Sequence, residues 1–341
     1  MPMESSSLIT QNGKSFSKNL NQPEVHKVNI KELSQKASVL REAFLSAQPF
    51  PHIVIDNFLD LNLIEQVTKE FPIPEDRYQH GGNEKVLKGF QVNPLEVRNQ
   101  PAMKAMFDLI ESEEVRSSLA TICNSETEIL CDPEYMGSGL LMARNGGIHK
   151  VHRDRNRHPK TRLYPRLVLL IYFTEEWVPE YGGSFQLWNQ KISECVSIEP
   201  LFNRCIIFEN TKYAYHGISD VHLPPGMTRK ALNFYYYTAE IPKSEQQMYI
   251  HDTDFFPKPE EKRQYWLEGS NFGFNLVKAV KNKFYPLNNV FQQLKYQLSG
   301  KSEELKKPDE EVLKPWKVYN NKTSVKNEGS LQRTDTDSGQ D

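Results

Sequence analysis

LVLLIYF, residues 167–173, opens a series of short β-rich runs that decides the fold of this 341-residue chain. The runs that follow are GSFQLW at 183–188, CVSIEP at 195–200, RCIIFE at 204–209 and KALNFYYYTAEI at 230–241. Gly, Pro and Asn residues lie between them, and short strands separated in this way are typical of a β-sandwich or barrel. The sequence therefore predicts a strand-rich core over about residues 128–241.

Helical patterns precede this core. Between residues 30 and 48, four apolar residues recur on one helical face: Leu33, Ala37, Leu40 and Phe44. The stretch PFPHIVIDNFL that follows predicts a strand, and Asn62 with Glu65 has the spacing of a capping box for a helix running towards Phe71. One further helical segment is predicted over residues 102–123. We expect these helices to brace the sheet.

The two ends of the chain are polar. Residues 1–28 and 299–341 contain too few large apolar side chains to offset the entropy of ordering, so we expect both to be flexible tails. The main domain is expected over residues 29–245. Residues 246–298 would form a C-terminal extension with an amphipathic helix around residues 274–298.

Composition argues against several classes of protein. With 42 basic and 44 acidic residues, no field across the whole chain would attract a nucleic acid or a membrane. The four cysteines lack CxxC spacing, which argues against a zinc ribbon or a disulfide scaffold and fits a reducing compartment. No apolar run reaches the roughly eighteen residues of a membrane span. We therefore expect a cytoplasmic protein.

The tripeptide His152-Arg153-Asp154 precedes the strand-rich runs. Side chains alternate along a strand, so His152 and Asp154 would point to one face. A lone HxD is weak evidence, and taken by itself it is better explained as a surface loop with a salt-bridged Asp. His216, which follows RCIIFE, could add a third ligand from a neighbouring strand. Two imidazoles and one carboxylate on one face of a metal form the facial triad of non-haem Fe(II) oxygenases.

Arg229 begins the last β-rich run. A guanidinium is suited to hold the far end of a dicarboxylate through paired, charge-assisted hydrogen bonds. Taken singly, Arg229 is more simply explained as a solvated charge at a strand end. Its order and spacing after the three candidate ligands favour the dicarboxylate role.

The ordered blocks resemble the catalytic domain of prolyl-4-hydroxylase-like 2-oxoglutarate/Fe(II) dioxygenases, which include the oxygen-sensing prolyl hydroxylases. The blocks span about residues 130–240 and read HRD, RLVLLIYFTEEW, YGGSFQLW, IEPLFNRCIIFE, HG and RKALNFYYY. The resemblance implies a double-stranded β-helix (jelly roll) core with helices packed on one side. The expected fold class is thus mainly β with flanking helices, or α+β.

The resemblance also implies roles for individual residues. His152, Asp154 and His216 would hold the iron, and Arg229 would bind the C5 carboxylate of 2-oxoglutarate. Tyr172 stands where a family tyrosine touches the same carboxylate. Four further residues are expected near the co-substrate or the substrate: Asn233 as a co-substrate contact, and Tyr235, Met142 and Arg166 in the substrate pocket.

Some positions depart from the family pattern or leave alternatives open. Met142 stands where some members place a tyrosine that bonds the C1 end of 2-oxoglutarate. The basic segment RNRHPKTRLYP, residues 155–165, is either a solvated, mobile loop or a contact for an anionic substrate. His149 and His158 are interpreted as loop or supporting residues rather than ligands. Gly182-Gly183 matches a turn that leads into the next core strand.

The activity implied by the resemblance is hydroxylation of an unactivated C–H bond by Fe(II), 2-oxoglutarate and O2, with release of succinate and CO2. Ascorbate is a further expected reductant. The expected substrate is a prolyl or other residue in a peptide or protein. A small-molecule hydroxylase of the same class and a non-catalytic metal-binding jelly-roll protein remain alternatives. A Zn(II) hydrolase with the same ligands would need neither Arg229 nor Tyr172.

Overall fold

Two β-sheets make up most of the protein, which is described from a computed structural model over residues 18–19, 21–80, 86–242, 245, 250–258, 261 and 310–328. Within these residues the larger sheet contains ten strands. In chain order they are β2 (Val25–Lys27), β3 (His52–Asp56), β4 (Gln79–His80), β5 (Leu87–Val92), β6 (Leu130–Cys131), β7 (Gly139–Ala143), β8 (Ile148–His149), β10 (Tyr164–Tyr172), β13 (Cys205–Glu209) and β15 (Arg229–Thr238).

The smaller sheet contains six strands in the described part of the chain. They are β1 (Lys18–Asn19), β9 (His152–Arg153), β11 (Phe185–Trp188), β12 (Glu194–Ile198), β14 (Tyr215–Ile218) and β16 (Asp254–Phe255). Its strand order is β1-β12-β11-β14-β9-β16, and the main path of the larger sheet is β2-β3-β13-β10-β15-β7-β5-β4. The strand-rich core and the α+β class predicted from the sequence are confirmed.

Alternation along the central strand β10 divides the interior into two layers. Leu167, Leu169 and Ile171 belong to the apolar cluster that also contains the buried residues of the helices. Val168 and Leu170 point the other way and pack with residues of the smaller sheet. The larger sheet therefore carries helices on one face and the smaller sheet on the other, which is the layered arrangement of a jelly roll.

The helices are α1 (Leu33–Ser46), α2 (Leu61–Glu70), α3 (Pro94–Val97), α4 (Pro101–Ile110), α5 (Glu113–Ile122) and α6 (Glu310–Glu328). The predicted apolar face of α1 is confirmed, since all four of its residues are buried. Asn93 caps α3 by accepting a hydrogen bond from the Leu95 amide at 2.9 Å, and Pro94 occupies its first turn.

Two details of the predicted helices are wrong. Asn62 is not a cap, because α2 begins at Leu61 after the cap residue Asp60, whose side chain instead accepts a hydrogen bond from Asn29 Nδ2 at 3.0 Å. The single helix expected over residues 102–123 is two helices. The first ends at Ile110, and Ser112 caps the second, as its hydroxyl accepts a hydrogen bond from the Val115 amide at 3.3 Å.

The expectation of flexible ends is wrong for the parts of both tails that are described. Residues 18–19 pair in parallel with β12, and residues 25–27 pair in parallel with β3. Val28 is 6% exposed and belongs to the core. These strand pairings, which join residues far apart in sequence, order a segment whose own composition is polar. Residues 1–17 lie outside the described part.

At the other end, residues 310–328 of the predicted tail form helix α6. Leu313 and Trp316 are buried in the cluster between the sheets, and the Asn320 side chain pairs with both backbone groups of Cys131, at 3.0 and 3.2 Å. This contact covers the short strand β6. The helix expected around residues 274–298 and the tail beyond residue 328 lie outside the described residues.

No helix in the described part of the chain is long and apolar enough to cross a membrane. The four cysteines are buried free thiols.

Candidate metal centre and co-substrate pocket

Three potential metal ligands meet between the two sheets. His152 on β9 lies directly opposite His216 on β14 in an antiparallel register, and the two imidazole centroids are 4.2 Å apart. Asp154 follows His152 by two residues and so emerges on the same side. The sheet thereby brings together one ligand atom from each residue, all within 4.8 Å of one another.

The three side chains are buried and close, with exposures of 2% for His152, 6% for Asp154 and 5% for His216. Asp154 Oδ1 lies 3.5 Å from His152 Nε2, and Asp154 Oδ2 lies 3.6 Å from His216 Nε2. Burial, together with the nearby His152, lowers the pKa of His216 to about 4, so His216 is neutral at pH 7. A neutral imidazole is the form that binds a metal.

The hydrogen bonds of both imidazoles leave the metal-binding nitrogens free. His152 Nδ1 lies 2.8 Å from the Lys150 carbonyl oxygen, and His216 Nδ1 lies 2.9 Å from the Ala214 carbonyl oxygen. A carbonyl can only accept, so each Nδ1 carries the proton and each Nε2 presents a lone pair. Such backbone contacts orient ligating histidines in metal sites. The donor set therefore fits Fe(II), which takes two imidazoles and a carboxylate.

The carboxylate of Asp154 is ionised. Burial acts to raise its pKa, but the two imidazoles and the hydroxyl of Tyr235 outweigh burial and hold the pKa well below its usual range. Tyr235 donates to Asp154 Oδ2 at 2.7 Å. A buried anion between two imidazoles is what a divalent cation requires.

Arg229 is a buried cation without an acidic partner. It is 6% exposed, its Nε donates to the Gly183 carbonyl at 2.8 Å, and no carboxylate among the described residues forms an ion pair with it. Burial lowers its pKa, but a guanidinium starts high enough to stay charged. An unpaired buried charge is unfavourable, so this position suits the carboxylate of a bound ligand.

Tyr172 lies beside this cation. The Arg229 guanidinium carbon is 5.1 Å from the Tyr172 ring centroid. The Tyr172 hydroxyl is buried and has no hydrogen-bond partner of good geometry within the described part of the chain. Burial raises its pKa to about 12, so it is a proton donor at neutral pH. A carboxylate between these two groups would accept from both.

Gly183 lies against the side chain of Arg229. Its φ is +61°, and a Cβ there would lie 3.0 Å from Arg229 Cδ and 3.2 Å from Arg229 Nε. The glycine therefore allows both the turn and the close approach of the guanidinium. The predicted turn at Gly182-Gly183 is present, but its role in seating Arg229 was not predicted.

The triad and Arg229 line one cavity of about 750 Å³. Most of the predicted pocket residues also line it: Tyr172, Asn233, Tyr235 and Met142. Residues from β4 and β5 form the outer wall, including Tyr78 just before β4 and Phe90. The volume lies in the range of small-molecule sites in proteins.

The prediction that Arg166 belongs to the pocket is wrong. Arg166 pairs with Glu209 at 2.9 Å and donates to the Cys123 carbonyl at 2.9 Å. Strict alternation from Val168 would aim it at the cavity. A break in the register between Pro165 and Leu167 interrupts that alternation, and local irregularities of this kind re-aim side chains.

The basic segment 155–165 is solvated only in part, at Pro159, Lys160 and Arg162. Arg157 and His158 are 4% and 1% exposed. His158 Nδ1 accepts from the Thr161 amide at 3.1 Å, so its Nε2 carries the proton and faces Asp132 Oδ2 at 3.3 Å. Arg155 lines the cavity, so the contact with a substrate stays open for that residue alone.

His149 contacts one of the candidate ligands. Its ring stacks on His152 with centroids 4.1 Å apart and an angle of 10° between the planes. Arg153, the middle residue of the tripeptide, turns away and pairs with Asp254 of β16 at 2.7 Å. Sequence reasoning missed the bonds from Arg153 to Asp254 and from Tyr235 to Asp154, because the partners lie 101 and 81 residues apart and no local pattern marks them.

The comparisons with known proteins come to the same class. Residues 138–237 match the model of the 2OG-Fe(II) oxygenase superfamily. No curated protein matches the chain at a significant level.

Solved structures that are similar to the chain include prolyl hydroxylases. A Pseudomonas putida prolyl-4-hydroxylase is 13% identical with a TM-score of 0.45, over 59% of this chain and 98% of that one. A Trichoplax adhaerens prolyl hydroxylase, in complex with a hypoxia inducible factor peptide fragment, is 14% identical with a TM-score of 0.45, over 61% and 91%. A Phytophthora capsici prolyl 4-hydroxylase structure is 15% identical with a TM-score of 0.45, over 91% and 97%.

The matched segment contains all three candidate ligands and Arg229. Residues 138–237 therefore form a 2OG-Fe(II) oxygenase domain. The protein is a 2-oxoglutarate-dependent dioxygenase that uses Fe(II), with 2-oxoglutarate and O2 as co-substrates.

Proposed function

We propose that the protein hydroxylates a C–H bond of a residue in a peptide or protein, with a prolyl residue as the nearest analogue. The observation that carries the proposal is the shared cavity, in which a His-Asp-His ligand set and a buried guanidinium without an acidic partner face the same space. The cation and the ligand set together suit a dicarboxylate that binds a metal at one end.

In this proposal His152, Asp154 and His216 hold the iron. Their backbone hydrogen bonds fix both imidazoles with Nε2 towards the metal, and Asp154 supplies a permanent negative charge. When bound, Fe(II) with 2-oxoglutarate supplies the O2-dependent oxidation that inserts oxygen into the C–H bond and yields succinate and CO2. The chain itself provides geometry and keeps bulk water from the centre.

Arg229 and Tyr172 would anchor the C5 carboxylate of 2-oxoglutarate. The guanidinium offers its terminal N–H groups, since Nε is already used by the Gly183 carbonyl, and the hydroxyl offers a second donor. Asn233 lines the same wall, and its buried Oδ1 lacks a donor among the described residues. At neutral pH 2-oxoglutarate carries only hydrogen-bond acceptors. The Asn233 Oδ1 atom is therefore better suited to accept a hydrogen bond from a donor group of the substrate.

The outer wall supports a peptide substrate. It consists of the paired strands β4 and β5 and the segment 134–138, so the rim is long and carries both aromatic and charged side chains. A peptide can lie along such a rim while one side chain enters the cavity. The resemblance of the ordered blocks to prolyl hydroxylases supports the same substrate class.

The test is succinate production by the full-length protein with Fe(II), 2-oxoglutarate and ascorbate. Proline-containing peptides should raise succinate release and gain 16 Da, whereas free amino acids should not. The variant His216→Ala is the control for background turnover. Stimulation by a free amino acid, with that molecule oxidised, would replace the peptide substrate by a small molecule.

A further inference from the structure

Tyr235 is tied to the metal-binding carboxylate. Its hydroxyl donates to Asp154 Oδ2 at 2.7 Å, and both side chains are buried, at 8% and 6% exposure. The other carboxylate oxygen, Oδ1, lies 3.5 Å from His152 Nε2, and Oδ2 lies 3.6 Å from His216 Nε2. Both oxygens of Asp154 thus face the imidazoles, and one of them also accepts a hydrogen bond from a phenol.

The tyrosine ring is held from several sides. The Tyr235 amide donates to Ser138 Oγ at 3.0 Å, and Tyr235 pairs with Val168 across β15 and β10. Gly137 lies against the ring, and a Cβ at that glycine would be 3.3 Å from Tyr235 Cε2. A ring fixed by a sheet and a neighbouring loop gives its hydroxyl a defined position.

We propose that Tyr235 is a positioning residue for the metal-binding carboxylate and not a substrate contact. This inference rests on the proposed function of the triad. The hydrogen bond fixes the rotation of the carboxylate, so that Asp154 is already oriented towards the two imidazoles that would hold the metal with it. A ligand held in this way needs no reorganisation when the metal binds.

Loss of the hydroxyl alone should therefore weaken the metal site. In Tyr235→Phe the ring still fills its space, but Asp154 is free to rotate and Oδ2 loses its donor. Removal of such a supporting contact typically lowers metal affinity by about 10- to 100-fold. Co-substrate anchoring by Arg229 should be unaffected once the metal is saturating.

Tyr237→Phe is the matched control. Tyr237 lies two residues further along the same strand and is also buried, but its hydroxyl donates to the Met136 carbonyl at 3.2 Å and its ring packs on Trp316. The same hydroxyl is removed from the same kind of ring without a change at the triad.

The experiment titrates Co(II) into the parent protein, Tyr235→Phe and Tyr237→Phe, each checked for folding by circular dichroism, and follows the visible d–d absorption. We expect Tyr235→Phe to bind Co(II) about 10- to 100-fold more weakly, with altered bands, and Tyr237→Phe to match the parent. Equal affinity and equal bands in Tyr235→Phe would overturn the positioning role. If that variant instead raised only the KM for the substrate, Tyr235 would be a substrate contact.

The titration also separates this inference from the function on which it rests. A parent protein that binds Co(II) while Tyr235→Phe binds it equally well refutes the role of Tyr235 and leaves the metal site intact. A folded parent protein that fails to bind Co(II) would refute the metal site and this inference with it.

Discussion

The candidate metal centre and the docking of the C-terminal helix α6 both bring together residues far apart in the sequence, yet only the centre was predicted. His152, Asp154 and His216 are residue types that the chemistry demands, and strand alternation shows how they can meet. Helix α6 docks through a few side chains, chiefly Trp316 and Asn320, within a polar segment. Reactive residues can be predicted from local sequence patterns. The docking of a helix depends instead on the surface that it covers, which those patterns do not reveal.

The largest effect is expected at the candidate metal ligands. Their substitution should abolish function without loss of the fold. Alanine at His152, Asp154 or His216 should abolish Fe(II)-dependent succinate production, because two remaining ligands hold iron poorly. The melting temperature should change little, since none of the three belongs to an apolar cluster. Succinate assays and thermal denaturation check both parts. Near-native turnover in any one variant would remove that residue from the centre.

Trp316 should show the opposite behaviour, with a large effect on stability. Its ring is 5% exposed and packs edge-on against His158 and Tyr237. Trp316→Ala should lower the free energy of unfolding by about 3–5 kcal/mol. Val318→Ala on the same helix is the control, since Val318 is 47% exposed. Urea denaturation measures both variants, and equal stabilities would mean that α6 does not dock.

Substitution of Arg229 should lower the affinity for the co-substrate more than it lowers the stability of the fold. In Arg229→Ala the bound C5 carboxylate loses its partner, at a cost on the order of 2–5 kcal/mol. The affinity for 2-oxoglutarate should fall by roughly thirty-fold or more. Arg229→Lys should recover part of the loss, because an ammonium keeps the charge without the paired fork.

The control for Arg229 is Arg166→Gln, which alters an arginine that lies outside the cavity. Anaerobic titration of 2-oxoglutarate into the Fe(II)-loaded proteins gives the midpoints. The Arg166 variant should bind like the parent. A midpoint for Arg229→Ala equal to that of the parent would exclude Arg229 from the site.

The smallest effect is expected at the polar end of the α6 contact. The Tyr319 hydroxyl donates to Glu111 Oε2 at 2.9 Å and accepts from an Arg98 terminal nitrogen at 3.0 Å. Tyr319→Phe should reduce the free energy of unfolding by about 1 kcal/mol, because Tyr319 is only half-buried. Tyr213→Phe, at a tyrosine that is 41% exposed, should change stability by less. Metal and 2-oxoglutarate affinities should stay as in the parent.

Much of the fold was predictable because burial leaves a periodic pattern. The apolar residues of α1 recur at helical spacing, and the runs at 167–173 and 204–209 became the adjacent strands β10 and β13. The two-helix division at Ser112 was missed because apolar periodicity continues across the cap. Helix α6 was missed because its sequence contains a proline, Pro315, which disfavours a helix, and because its apolar residues are few.

The candidate site was likewise predictable only in part. The ligands and Arg229 follow an ordered motif, so the sequence indicated them. Arg166 was misplaced because a register break reverses alternation, which sequence spacing cannot reveal. The hydrogen bond from Tyr235 to Asp154 joins β15 of the larger sheet to the residue that follows β9 of the smaller sheet, and it becomes visible only in three dimensions.

The central claim is that one cavity binds Fe(II) through His152, Asp154 and His216 and then binds 2-oxoglutarate. The most direct measurement adds Fe(II) and then 2-oxoglutarate to the full-length protein under anaerobic conditions, while visible absorbance is recorded. We predict a weak metal-to-ligand charge-transfer band that requires both additions, saturates with one Fe(II) per chain and is absent in His216→Ala. A folded parent protein that shows no such band would contradict the account.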